Sequence, residues 1–153
     1  MVEGRPLILG GVEIPYQRGL QGHSDADVLT HAIMDALLGA LALGDLGAHF
    51  PDHDDHYRGI SSLVLLEQVM KLVQEQGYQV VNLDSIIVAQ RPKLASYIDM
   101  MRDKLAPVLG VAKTGVSVKA TTTEHLGFEG REEGISAQVI VNLEQLTGIS
   151  SRS

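Results

Sequence analysis

The densest run of chemically capable side chains is His23-Ser24-Asp25-Ala26-Asp27-Val28-Leu29-Thr30-His31. On a helix Asp27 and His31 are four residues apart and share a face. His23 and Ser24 fall where such a helix would begin, and free amides there favour a phosphate. Neutral imidazole with carboxylates suits zinc better than magnesium. The same residues also allow a purely structural role, with Ser24 as N-cap, Asp25 and Asp27 complementing the helix dipole, and His31 packed in a core.

Three further segments carry polar chemistry. Asp45-Leu46-Gly47-Ala48-His49-Phe50-Pro51-Asp52-His53-Asp54-Asp55-His56 sets carboxylates beside an aromatic ring, which suits hydroxyl binding, although a solvated acidic loop has the same composition. Lys119-Ala120-Thr121-Thr122-Thr123-Glu124-His125-Leu126-Gly127-Phe128-Glu129-Gly130-Arg131 offers hydroxyls, a hard-cation ligand in Glu124 and the Arg131 fork, a set able to hold a diphosphate. It also reads as a Thr-rich strand entering a Gly-rich turn. Ala89-Gln90-Arg91-Pro92-Lys93-Leu94 could meet a base edge through its main chain, or be an ordinary loop.

These segments need elements to hold them. The apolar run Leu7-Ile8-Leu9 and the alternating Val12 and Ile14 flank Gly10-Gly11, predicting a hairpin over Pro6 to Pro15. A long apolar helix is expected from Ser24 to about Leu43, ended by Gly44, then a ligand-rich loop over 44–59. Leu63, Leu66, Val69, Met70 and Val73 mark a helix from Ser61 to Gln76. A strand over Tyr78 to Gln90, a helix from Pro92-Lys93 to Leu109, a strand over Val116 to Lys119, a loop over Thr121 to Gly134 and a strand over Ile135 to Leu143 complete the pattern. The expected class is α+β: one mixed β-sheet with helices on one face.

With 153 residues and 44% hydrophobic content, the expectation is one domain spanning 1–153. The formal charge of −7 without basic runs argues against a nucleic-acid partner. No run of about eighteen apolar residues and no signal-peptide pattern is present, so a cytoplasmic chain without a membrane partner is expected. Zero cysteines exclude a disulfide framework and leave metal binding to His, Asp and Glu.

Taken together and in order, PLILGGVEIPY, GLQGHSDADVLTHAIMDALLGALALGDLGAHFPD, AQRPKL and VKATTTEHLGFEGREEGI resemble the 2-C-methyl-D-erythritol 2,4-cyclodiphosphate synthase family over nearly the whole chain. The resemblance implies a chorismate-mutase-like, trimer-forming fold with active sites between subunits. It implies a cytidine diphosphate-bearing substrate, 4-diphosphocytidyl-2-C-methyl-D-erythritol 2-phosphate, cyclised with release of CMP in isoprenoid biosynthesis. Zinc, with magnesium or manganese, is the implied metal pair.

By the same resemblance, zinc falls on His31 and magnesium or manganese on Glu124. Phosphate binding falls on His23 and Ser24, supported by Asp27, and the erythritol unit on Asp45, Leu46, Gly47, Phe50, Pro51, Asp52, His53 and Asp54. The cytidine pocket maps to Ala89, Gln90, Arg91, Pro92, Lys93, Leu94 and Ala95, and the diphosphate site to Thr121, Thr122, Thr123 and Glu124. His23 and Thr122 take the catalytic positions. Phe128 and Arg131, with Glu133, match residues lining the threefold axis, where an isoprenoid diphosphate can bind. The family's Asp-x-His strand, with two more zinc ligands, would fall ahead of Val2-Glu3-Gly4-Arg5-Pro6, before Met1. With His31 alone, weak zinc binding and little cyclisation are expected. The alternatives are a non-catalytic trimeric nucleotide or isoprenoid-diphosphate binder and a metal-dependent phosphohydrolase.

Overall fold

Two hydrophobic periods organise the chain, a period of two in its strands and of 3.6 in its helices. The computed structural model describes residues 1–22, 25–51 and 59–146. In chain order come β1 (Val2–Glu3), β2 (Leu7–Leu9), β3 (Val12–Ile14), β4 (Arg18–Gly19), α1 (Val28–Ala40), α2 (Leu46–His49), α3 (Ser62–Glu75) and β5 (Tyr78–Val88). A 3-10 turn at Ala95–Tyr97 leads into α4 (Ile98–Leu109), and another at Lys113–Gly115 precedes β6 (Val116–Thr121), α5 (Gly127–Gly130) and β7 (Ser136–Gln145).

The main sheet has the order β6-β5-β7. β5 runs parallel to β6, from Leu83 opposite Val116 to Val88 opposite Thr121, and antiparallel to β7, from Tyr78 opposite Gln145 to Val88 opposite Ser136. Leu83, Ser85, Ile87, Val116 and Val118 are buried, and they share the core with the apolar residues of α1, α3 and α4. The opposite face carries Asn82, Asp84, Ser117, Lys119, Gln138, Ile140 and Asn142, all exposed. The fold is therefore α+β, a mixed sheet with its helices on one face. Lys119 donates to Asp84 across the open side (2.6 Å), holding that carboxyl below the usual carboxylate range.

Helix α3 buries Leu65, Leu66, Val69, Met70 and Val73, the spacing of one stripe, and Ser61 caps it by accepting from the Leu63 amide. Each such side chain contributes about 1.5–3 kcal/mol when taken out of water. The hairpin forms as expected: Leu7 pairs with Ile14 and Leu9 with Val12, while Gly10 and Gly11 both take positive φ (58° and 76°). A two-residue turn with that hand needs residues without a Cβ penalty.

The structure corrects several boundaries. Helix α1 starts at Val28 with Asp27 as its cap, not at Ser24, and Ala26 immediately before takes φ 58°, which breaks any helical run back toward Ser24. It ends at Ala40, not Leu43, because Ala42 turns left-handed (φ 54°). The segments expected as loops over 44–59 and 121–134 each contain a one-turn helix, α2 and α5. The helix expected from Pro92-Lys93 begins in regular form only at Ile98. The two-residue ribbon of β1 and β4 was not expected.

Candidate functional site

Asp27 is fully buried, and its carboxylate ties the helix to the hairpin. Oδ1 accepts from the Gly10 amide (2.9 Å) and the Thr30 amide (3.0 Å), and Oδ2 from the Gly11 amide (2.7 Å) and the Thr30 hydroxyl (2.8 Å). Burial pushes this carboxyl above its ordinary range, against the pull of the four donors. All its acceptor positions face protein donors, so Asp27 positions α1 and does not reach into a site with His31. Asp25 plays a parallel part, accepting from the Ser62 amide (2.9 Å) and hydroxyl and so pinning the start of α3.

His31, one turn into α1, lines a cavity of about 610 Å³. Leu46, Gly47 and Phe50 contribute another wall, so the structure brings these sequence-expected residues together. Two contacts hold α2 there: Asp35 of α1 accepts from the Leu46 amide (3.1 Å), and Asp45 caps α2 through the Ala48 amide (2.9 Å). Asp45 thus spends one carboxylate oxygen on its helix. Two further walls come from Leu20, Gln21, Gly22 and from Glu133, Gly134, Ile135, with Met1 and Leu65 also in the lining. Neither triplet was expected to line this cavity; of the six residues only Glu133 was singled out, and for the threefold axis instead.

The other expected segments meet elsewhere. β5 and β6 are parallel neighbours, so Ala89–Ala95 and Thr121–Glu124 both leave the sheet at carboxyl ends of strands, where α/β sheets commonly bind ligands. The Ala89 amide donates to the Thr121 carbonyl (2.9 Å), and the Gln90 side-chain oxygen accepts from the His125 amide (3.0 Å). Arg91, Lys93, Thr121 and Glu124 are exposed, and Pro92, Thr122 and Thr123 are half-buried. Ala89 and Leu94 are packed in the core, so only their main chain is available to a ligand. Among the described residues, the lining of the His31 cavity includes none from 89–95 or 121–124.

Glu124 and His125 both take left-handed angles (φ 55° and 66°), a cost on the order of 1 kcal/mol each. Surrounding contacts hold the turn: Gln90 accepts from His125, Thr122 Oγ1 accepts from the Glu124 amide (3.3 Å), and Thr123 Oγ1 donates to the Leu126 carbonyl. Gly130 approaches so closely that a Cβ there would sit 2.2 Å from the His125 carbonyl carbon. Gln90→Ala should remove about 1–2 kcal/mol of stability and loosen this turn. Faster amide exchange at His125 with β5 and β6 still protected is the expected result; unchanged exchange would show that Gln90 does not hold it.

Beyond this turn, Leu126 and Phe128 are exposed, at 71% and 46%, beside Arg131. Arg131 pairs with Glu133 (2.5 Å) and holds that carboxyl below its usual range. His23, Ser24, Asp52, His53 and Asp54 lie outside the described residues. Among the described residues, no three His, Asp or Glu side chains are grouped to hold a metal ion. No described helix is long and apolar enough to cross a membrane.

Known proteins resemble this chain over nearly its whole length. A protein of Desulfitobacterium hafniense named 2-C-methyl-D-erythritol 2,4-cyclodiphosphate synthase is 70% identical over 94% of this chain and 90% of its own length. One of that name from Alkaliphilus metalliredigens is 59% identical over 97% and 93%. Among solved structures, the bifunctional IspDF of Campylobacter jejuni superposes with a TM-score of 0.90 at 44% identity, covering 94% of this chain and 39% of that one. A CDP-bound structure of a 2C-methyl-D-erythritol-2,4-cyclodiphosphate synthase superposes with a TM-score of 0.84 at 35% identity, covering 93% and 92%. The model of the YgbB family matches residues 1–144, and with these identities the chain belongs to the YgbB family.

Proposed function

We propose that this chain is a 2-C-methyl-D-erythritol 2,4-cyclodiphosphate synthase, acting on 4-diphosphocytidyl-2-C-methyl-D-erythritol 2-phosphate as a phosphorus-oxygen lyase in isoprenoid biosynthesis. The observation that carries this reading is the joining of Ala89–Ala95 to Thr121–Glu124 at the ends of two parallel strands, in a chain 70% identical to a protein of that name. A nucleotide and its diphosphate need two adjacent subsites, and these segments supply main-chain groups, Thr hydroxyls and Lys93 side by side.

In the reaction, an oxygen of the 2-phosphate bonds to the β-phosphorus while the bond from that phosphorus to the α–β bridging oxygen breaks. The electron pair leaves with CMP. Nucleophile and electrophile belong to one molecule, so the chain contributes chiefly by folding the substrate into an attack geometry. Thr122 and the 121–124 main chain donate toward the diphosphate, and the His31 cavity takes the methylerythritol 2-phosphate end. Divalent-metal dependence belongs to the same proposal, with His31 as a zinc ligand and Glu124 as a magnesium or manganese ligand.

We further infer a homotrimer whose sites lie between neighbours. The separation of the His31 cavity from the strand-end segments supports it, as does the open sheet face with Ile140 at 73% exposure. In that assembly Phe128 and Arg131 would offer an apolar and cationic lining to an isoprenoid diphosphate on the axis. Incubating the protein with substrate, zinc and magnesium tests the activity. Cyclic diphosphate with CMP is the expected product, formed slowly where His31 is the one protein zinc ligand; inorganic phosphate would indicate a phosphohydrolase, and bound but unconverted substrate a binding protein.

A further inference from the structure

Helix α5 ends in a six-to-one, five-to-two hydrogen-bond pair: the Glu133 amide donates to the Phe128 carbonyl (2.9 Å) and the Glu132 amide to the Glu129 carbonyl (3.0 Å). This is the Schellman ending, whose left-handed residue is usually Gly. Here it is Glu132, at φ 61°. A side chain that carries a conformational cost at a position suited to glycine needs a compensating contact.

That contact joins distant parts of the chain. Glu132 Oε1 accepts from the Tyr16 hydroxyl (2.9 Å) and pairs with Arg18 Nη2 (3.4 Å), while Arg18 Nη1 donates to the Glu132 carbonyl (3.5 Å). Arg18 Nη2 also donates to the Tyr16 oxygen (3.3 Å), and its guanidinium lies 5.7 Å from the Tyr16 ring centroid. Arg18 and Glu132 are only 27% and 31% exposed, so the pair is partly shielded from water. Each end of this clasp leads directly into a cavity wall: Leu20–Gly22 after Arg18 and β4, and Glu133–Ile135 after Glu132.

We propose that Tyr16, Arg18 and Glu132 are positioning residues that set the width of the His31 cavity by tying two of its walls together. The consequence for turnover rests on the cyclase reading, because the cavity is there assigned to the methylerythritol 2-phosphate end. The walls meet substrate and transition state alike, so loosening them weakens uniform binding and raises KM more than it lowers kcat.

Glu132→Gly separates this role from a structural one, since glycine suits the backbone but cannot make the clasp. The expected result is a KM for CMP release raised about tenfold with kcat within about twofold, and a melting midpoint held near the parent's. Glu132→Gln keeps an acceptor oxygen and should stay within about twofold in KM, whereas Tyr16→Phe should raise KM. Amide exchange gives a readout independent of activity: in Glu132→Gly, residues 20–22 and 133–135 should both exchange faster. A parent that releases no CMP would refute the cyclase reading while the exchange result still judges the clasp. Unchanged exchange at 20–22, or a loss of midpoint that alone accounts for the kinetic change, would overturn the proposal.

Discussion

Co-expressing His31→Ala chains with Glu124→Gln chains should restore about a quarter of parental CMP release, although each variant alone falls by about 100-fold or more. The expectation follows from where the two residues sit. His31 lines the cavity walled by α1 and α2, whereas Glu124 lies past the carboxyl end of β6, and that cavity has no lining residue from 121–124 among the described residues. If both halves served one site inside one chain, no mixture could rebuild it. If the site lies between neighbours, it needs an intact His31 half from one chain and an intact Glu124 half from the next. Random mixing meets that condition at about one interface in four. A mixture no more active than its components, with mixed assemblies verified by mass, would rule out shared sites. Pairing a doubly substituted chain with the parent should instead lower activity in proportion to the interfaces it joins.

The fold was legible where a local rule decides the outcome. Gly10-Gly11 between short apolar runs can close only a tight hairpin, and Leu66, Val69, Met70 and Val73 can be buried together only on a helix. The strand-end segments were legible as motifs, but their adjacency was not, since it depends on β5 and β6 being parallel neighbours. Asp27 shows what residue type and spacing leave open. Four positions before His31, its carboxylate is drawn away by the Gly10 and Gly11 amides, contacts seventeen and sixteen residues distant in the chain. The walls at Leu20–Gly22 and Glu133–Ile135 are ordinary residues, brought together across a sequence separation of 114 by Arg18 and Glu132. Asp35 could have been suspected as a charge on an otherwise apolar helix, but its partner, the Leu46 amide, carries no side-chain signal.

Asp27→Ala should destabilise the protein by about 4 kcal/mol, a large fraction of the 5–15 kcal/mol typical of a domain. The substitution strands the buried amides of Gly10 and Thr30 and the half-buried amide of Gly11, and removes the acceptor of the Thr30 hydroxyl. A buried donor left unpaired costs about 1–3 kcal/mol, and the alanine methyl cannot replace any of the four bonds. The hairpin and α1 lose their common anchor at the same time, so the damage reaches the entrance of the helix that carries His31. A fall in melting midpoint of ~10 °C is expected at fixed protein concentration, because the proposed assembly would make the midpoint concentration-dependent. Asp27→Asn should fall between alanine and the parent: its carbonyl oxygen can still accept from two amides, but its NH2 group faces the amide left over. Asp25→Ala removes a half-buried carboxylate bonded to Ser62 and should cost less, about 1–2 kcal/mol. An Asp27→Ala protein melting within about 2 °C of the parent would show that water or a shifted backbone satisfies those donors. Asp27 would then be dispensable for the fold, and an explanation for it would have to be sought in the chemistry beside His31.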